Sequence, residues 1–396
     1  MSFSIAVQPI SYAMAYEILS RLEGIKAPTA WIGGLNITYN LGPGFKNEGN
    51  SNLTLHLKVN NRLVNKTIYN VIGTIKGRVE PDRYVLIGNH RDAWFKGAVD
   101  SAAGTAASLE LARVFGQLLT EGWRPRRSIL FCSWGAEEFN LIGSTEWIEE
   151  NIKILNGRAV AYINSDIIVI GNGSLSVAAS PLLYHTIFNA TKEVPNPRDD
   201  ENKAKTVYDK WLISYPLMRN TSGILTVKRS TSGMAFDYDN ELGEKHSNSE
   251  PNEQGSIIKT YRESAMFQTR PKVRQLDMRS AYGPFFTMAG IPALDITYTD
   301  LNDLKSDSNQ INSMSYPLLH TQYDRIELIE KFIDPDFRYH KAVTQVLAEI
   351  LRDLSDSLFI PFNLLDYAQV LKDLYITLHI HTETVLTNNG IDIGLY

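Results

Sequence analysis

A chain of 396 residues is too long for one ordinary core, so two or more domains are expected. With 43% hydrophobic and 21% charged residues it has the composition of a globular protein, and a net charge of −5 provides no basic field, which argues against nucleic acid as a partner. No apolar stretch is long enough to cross a bilayer, and the opening MSFSIAVQPISYAMAYEIL lacks a basic region followed by a long apolar segment.

The first 65 or so residues mix short β-like runs with turn signals, Gly33-Gly34 and Gly42-Pro43-Gly44 among them. Within them Leu53–Val59 (LTLHLKV) alternates as a half-buried strand does. From Ile68 the pattern becomes strand–helix–strand: Ile68–Ile75 and Tyr84–His90 (YVLIGNH) are apolar runs bounded by turns, and Gly104–Leu119 has helical spacing. A strand near Ser128–Trp134, a helix at Ser144–Asn151 and a strand Ala159–Asp166 (AVAYINSD) follow. The lone cysteine, Cys132, lies inside one of these apolar runs, so no intrachain disulfide forms and the thiol reads as a small core residue. Residues 218–270, rich in Ser, Thr, Asn, Gly, Glu and Lys, read as a long exposed insertion. A helix near Tyr282–Ala289, a strand Ala293–Tyr298 and amphipathic helices over Phe337–Leu354 and Leu364–His379 complete the pattern. Alternation of this kind predicts an α/β fold with a mostly parallel mixed sheet flanked by helices. Asn36, Asn52, Asn65, Asn172, Asn189 and Asn220 each begin an Asn-x-Ser/Thr acceptor triplet, which favours a secreted glycoprotein.

Six residues carry the chemistry: His90, Asp100, Glu137, Glu138, Asp166 and His320. Most stand where a strand gives way to a polar turn, and in an open α/β sheet such positions converge on one crevice. Imidazoles and carboxylates gathered there suit zinc. Two zinc ions about 3.5–4 Å apart can share a hydroxide and stabilise the oxyanion of peptide hydrolysis. Asp100, with two oxygens to offer, is the candidate bridge. His90 with Asp166 would complete one site and His320 with Glu138 the other. Glu137 would take the proton from water and pass it to the leaving amine. Asp92, two residues after His90, is placed to accept the second imidazole N–H and fix its tautomer. Each residue also has an ordinary reading as a capped histidine, a helix N-cap or a solvated charge.

The stretches YNVIGTIKGRVEPDRYVLIGNHRDAW, GQLLTEGWRPRRSILFCSWGAEEFNLIGSTEWIEEN and YPLLHTQYDRIELIEKFIDPDFRYH resemble the glutamate carboxypeptidase II family. That family includes the N-acetylated α-linked acidic dipeptidases and the zinc-free transferrin receptor. The resemblance runs from about Val7 to about Leu371. It implies a type II membrane glycoprotein, anchored upstream of this chain, with its ectodomain on the extracellular face of the plasma membrane and a homodimer when full length. Residues 1–66 would then end an apical domain, 67–357 form the zinc peptidase domain around the insertion, and 358–396 begin an incomplete helical dimerisation domain. By motif, His90, Asp100, Glu138, Asp166 and His320 fall on the family's zinc ligands and Glu137 on its general base. Glu146 and Glu149 match part of a calcium site whose other ligands would precede Met1. The resemblance thus implies a two-zinc exopeptidase of small peptides, with Ca2+ possible in a longer chain. The alternatives are a receptor-like protein without activity and a truncated, inactive homologue.

Several positions depart from the family's pattern. Leu319 replaces a substrate-contacting tyrosine, and Arg279-Ser280-Ala281 replaces Gly-Asn-Asp, so Arg279, Ser280 and Leu319 are assigned to the substrate pocket. Asp295, Thr297 and Ser176 stand where the family has arginines that grip acidic groups, which disfavours acidic dipeptides as substrates. Arg279 is expected to crowd the metal crevice.

Overall fold

The computed structural model describes residues 7–46, 53–60, 62, 64–198, 204–215, 270–301, 316 and 318–388. Residues 218–269 of the anticipated insertion, together with Asn52 and Asn220, lie outside that set. The chain divides into two compact units, Met1–Thr67 and Ile68–Tyr396.

In the first unit the helix α1 (Tyr12–Leu19) starts at Ser11, whose side chain accepts the Met14 N–H. Isolated bridges link Leu22 to Phe45, Gly24 to Gly42 and Lys26 to Asn40. Leu53–Val59 forms no strand. Leu55 and Leu57 are exposed, so the alternating pattern there meets no sheet on which to bury a face.

The second unit is built on six strands: β1 (Val71–Ile75), β2 (Glu80–His90), β3 (Arg127–Trp134), β4 (Ala159–Asn164), β5 (Ser174–Ala179) and β6 (Ala293–Thr299). They lie in the order β1-β3-β2-β4-β6-β5. The β3–β2, β2–β4 and β4–β6 pairs are parallel, and the two edge pairs, β1–β3 and β5–β6, are antiparallel. The chain steps from β2 to β3 on one side and then returns to β4 on the other, so β2 marks the place where strand order reverses. In open α/β sheets that place is where the crevice forms at the carboxyl ends of the strands.

Side chains alternate between two apolar layers. Val85, Ile87, Ile129, Ile163 and Ile296 face α2 (Ala103–Thr120), α4 (Tyr184–Glu193), α5 (Val207–Ser214) and α7 (Arg338–Asp356). Leu86, Leu130, Cys132, Trp134 and Tyr162 face α3 (Ile142–Arg158) and α6 (Tyr282–Thr287). Cys132 is a core residue, and burial pushes its thiol far above the ordinary range. A last helix, α8 (Leu364–Asn388), follows α7. No helix of the described residues is long and apolar enough to cross a membrane.

Helix α2 approaches the sheet closely at Gly104, where a Cβ would stand 1.9 Å from the Ser165 carbonyl oxygen and 2.3 Å from that of Asp166. Gly104 therefore sets how near α2 can lie to the loop that presents Asp166. Gly104→Ala is expected to lower stability by about 1–3 kcal/mol in a denaturant titration and to displace the Asp166 loop.

Candidate metal centre

His90 ends β2, Glu137 and Glu138 follow β3 after the turn at Gly135 and Ala136, and Asp166 lies two residues beyond β4. Asp100 stands in a break in the helical path before α2, at φ −114 and ψ 93. His320 comes from the far end of the sequence and has φ +59, a left-handed conformation that a non-glycine residue adopts at a cost of about 1–3 kcal/mol.

These six residues meet. His90 Nε2 is 3.0 Å from Asp100 Oδ1 and 2.9 Å from Asp166 Oδ1. His320 Nε2 is 3.0 Å from Asp100 Oδ2 and 3.1 Å from Glu138 Oε2. Asp100, only 5% exposed, thus turns one oxygen to each imidazole. Glu137 stands slightly back, its Oε2 3.8 Å from His90 Nε2, although it too lies within reach of an ion held by His90 and Asp166.

The supporting hydrogen bonds show which lone pairs are available. His90 Nδ1–H donates to the Asp92 backbone carbonyl at 2.8 Å, which leaves Nε2 to face the carboxylates. The Asp92 carboxylate is 3.7 Å from that nitrogen, so Asp92 accepts through its main chain and not its side chain. Its two oxygens instead accept the backbone N–H groups of Glu137 and Glu138 at 3.1 and 3.2 Å. Burial alone would raise the Asp92 carboxyl, but His90 and these two donors outweigh it and hold the carboxyl below its usual range. Asp324 makes a second clamp of the same form, accepting the N–H groups of Val99 at 2.8 Å and Asp100 at 3.1 Å. Nothing in the residue pattern singles out Asp324. Its only mark is a position four residues after His320.

A cation suits this arrangement. A single Nε2 cannot donate one proton to both Asp100 and Asp166, and Asp166 Oδ1 and Glu138 Oε1 are buried without a hydrogen bond. Two ligands about 2.0–2.1 Å from a tetrahedral zinc stand about 3.3 Å apart, close to the separations seen here. The ionisation pattern has the same cause. Burial disfavours a charged His90, yet Asp166 and Asp100 outweigh it and hold the proton well above the ordinary imidazole range. Asp100 and Glu138 raise His320 to about 10. Burial would raise Asp100, but His320 and His90 draw it down to about 2. Glu137 is pushed up to about 8, first by burial and then by Asp166.

The residues assigned to the substrate pocket have partners of their own. Ser280 is buried and donates to Asp166 Oδ2 at 2.6 Å, so it orients a candidate ligand. Leu319 is half-buried in an apolar cluster with Ala98, Val99, Tyr316 and Ile329. The Arg279 guanidinium pairs with Asp277 at 2.8 Å. Among the departures from the family pattern, Ser176 accepts a hydrogen bond from Arg274 Nε at 3.0 Å, so a cation stands there that the sequence reading had not placed. Glu146 and Glu149 are exposed on α3, and among the described residues no group of potential ligands includes them. Of the acceptor triplets, Asn36, Asn65 and Asn172 are exposed, whereas Asn189 lies within α4 and the Thr191 hydroxyl is buried against Ile187 and Phe188 carbonyls.

Residues 70–213 match the family model for peptidase family M28, a span that holds five of the six residues. The chain carries an M28 domain. Over 393 residues it is 38% identical to aminopeptidase NAALADL1 of Rattus norvegicus, an alignment covering 98% of this chain and 46% of that protein. Over 379 residues it is 36% identical to the glutamate carboxypeptidase 2 homolog of Caenorhabditis elegans, covering 94% and 41%. The chain therefore spans a little under half the length of these curated relatives. These relatives carry the resemblance read from the three motif stretches. Among solved structures, a zinc aminopeptidase from Bacillus subtilis aligns with a TM-score of 0.42 and 17% identity over 73% of this chain and 50% of that one.

Two tests follow from the M28 domain's geometry. Zinc must displace the protons that His90 and His320 otherwise retain, so affinity should fall on acidification by on the order of tenfold per pH unit for each protonated imidazole, read by chelator competition. Ser280→Ala removes the donor to Asp166 Oδ2 and is expected to weaken zinc binding by about 10–100-fold in the same measurement.

Proposed function

We propose that the M28 domain is a two-zinc exopeptidase acting on small peptides. The observation that carries this reading is Asp100, whose two oxygens each stand 3.0 Å from a different imidazole. His90 and Asp166 would hold one ion, His320 and Glu138 the other, and Asp100 would serve both. When bound, such a pair polarises a peptide carbonyl and acidifies water. The donor set of two imidazoles and three carboxylates is of the type zinc prefers. The names of the relatives, one an aminopeptidase and one a glutamate carboxypeptidase homolog, support peptide termini as the substrate class.

The chain's own residues supply the rest. Glu137 is the general base: its carboxylate sits beside the ligands without being paired as tightly as they are, and it can take a proton from water and deliver it to the departing nitrogen. Positive charge bound alongside would bring Glu137 down from about 8, leaving it ionised and able to accept a proton at neutral pH. Asp92 fixes the tautomer of His90 through its carbonyl and the spacing of Glu137 and Glu138 through its carboxylate. Exposed Leu364, Leu365, Leu371 and Leu374 on α8 support the further expectation that this helix begins a dimerisation domain.

Glu137→Gln is expected to keep its zinc, measured by mass spectrometry, and to lose about 10²–10⁴-fold in turnover of a dipeptide panel. Turnover retained at the parent's rate would refute the role given to Glu137.

A further inference from the structure

The sheet has a second charged end. At the amino ends of β2, β3 and β4, on the order of 30 Å along β2 from His90, cations gather on adjoining turns. Arg78 N–H donates to the Pro125 carbonyl at 2.9 Å, and Arg124 Nη1 donates to the Lys76 carbonyl at 3.0 Å. The turn between β1 and β2 and the segment leading into β3 therefore lie side by side. Arg83, early in β2, donates from Nη1 to the Gly157 carbonyl at 2.6 Å, which carries the row on toward β4.

Lys76, Arg78, Arg83 and Arg124 are exposed, and none of them forms an ion pair among the described residues. The nearby acids are mostly engaged. Glu80 is shared by two arginines, 2.7 Å from Arg126 Nε and 3.2 Å from Arg127 Nη2. The two oxygens of Asp356 accept the Trp123 indole N–H at 3.1 Å and the Arg126 backbone N–H at 3.0 Å. Asp82 is exposed, and Arg158 adds a further cation beside it. Behind the row Arg127 is buried, and its Nε has no hydrogen-bond partner. Burial holds its guanidinium below the usual range; Glu80 opposes this, and the crowding charges of Arg126 and Arg83 add to it. In a chain of net charge −5, positive charge is thus concentrated at the end of the sheet opposite the carboxylate-rich crevice.

We infer that this rim is a binding surface for a sulfated polysaccharide, laid across the amino ends of β3, β2 and β4. Neighbouring strands stand about 4.8 Å apart, so charges at their ends form a row and not a pocket. A single phosphate would reach one or two of them, whereas an extended chain with sulfates along its length meets them all. Guanidinium groups suit that ligand, because their paired N–H groups match two oxygens of one oxyanion. Arg124-Pro125-Arg126-Arg127, with Lys76 and Arg78 alongside, is a basic run of the kind that takes heparin-like polymers. The exposed acceptor triplets at Asn36, Asn65 and Asn172 favour a secreted protein, for which such polymers are the polyanions at hand. Occupancy of the rim leaves the metal crevice open and does not depend on the exopeptidase reading.

The test is calorimetric titration of the full chain with a heparin octasaccharide, before and after removal of its sulfates. The sulfated form is expected to bind about tenfold or more tightly at low salt. Lys76→Ala, Arg78→Ala and Arg124→Ala together should weaken that binding by about tenfold or more. They should also lower the slope of log affinity against log salt concentration by about one for each cation removed. Arg113→Ala, on α2 and paired with Glu110, should change neither. Lys76→Glu and Arg124→Glu, made singly, serve if the triple variant does not fold. Equal binding of the two octasaccharides, a triple variant that binds like the parent, or an equal loss in Arg113→Ala overturns the assignment. So does binding of oligothymidylate or phosphatidylserine vesicles as tight as that of the sulfated octasaccharide.

Discussion

A buried carboxylate with an imidazole nitrogen 3.0 Å from each of its oxygens is an unusual thing for a fold to maintain, and the rest of the domain is arranged around Asp100. Burying its charge is costly unless that charge is paired. The two partners come from opposite ends of the domain, His90 from the end of β2 and His320 from a turn some 230 residues later, which binds the late part of the chain to the early part. Asp324 reinforces the closure by taking the N–H groups of Val99 and Asp100, so the backbone that carries the bridging aspartate is held by the same segment that brings the second imidazole. Cations at this point would relieve several crowded acceptors at once, among them the partnerless oxygens of Asp166 and Glu138.

What the sequence revealed and what it hid divide along physical lines. The strands that carry ligands are apolar runs ending abruptly in a His, an Asp or a Glu-Glu pair, and that contrast is visible without coordinates. Helix α2 and helix α7 announce themselves by period. Strand β5 (SLSVAA) does not, because its small residues give little contrast between faces, whereas β1 lies within the apolar run Ile68–Ile75 that the pattern marks as a strand. Leu53–Val59 alternates well and still forms no strand, since alternation is a request for a sheet and not a supply of one.

The site shows the same division. The candidate ligands could be picked out because imidazoles and carboxylates at strand ends are rare in combination. Their supports could not: Ser280 comes from a loop that looked like a pocket, Asp324 from a polar turn, and the Asp92 carboxylate turned out to grip backbone N–H groups while its carbonyl took the imidazole. Hydrogen bonds to main-chain atoms leave little trace in residue identity, since almost any neighbour can present an N–H. Arg274 eluded the reading for another reason: the cation reaches Ser176 from a separate segment, and only the fold reveals such a substitution in space.

The grip of Asp92 on two consecutive amides has a consequence for how this protein can change. Glu137 and Glu138, the proposed proton acceptor and the proposed metal ligand, are neighbours on one short turn, fastened by one side chain, so neither can drift without dragging the other. The two carboxylates are therefore held as a unit, and variation in what is recognised would fall to strands outside the clamp. β5 and β6 pair antiparallel at the edge of the sheet, and on one of their faces Ser176, Ala178, Asp295 and Thr297 are small or polar, which leaves that face freer to diversify.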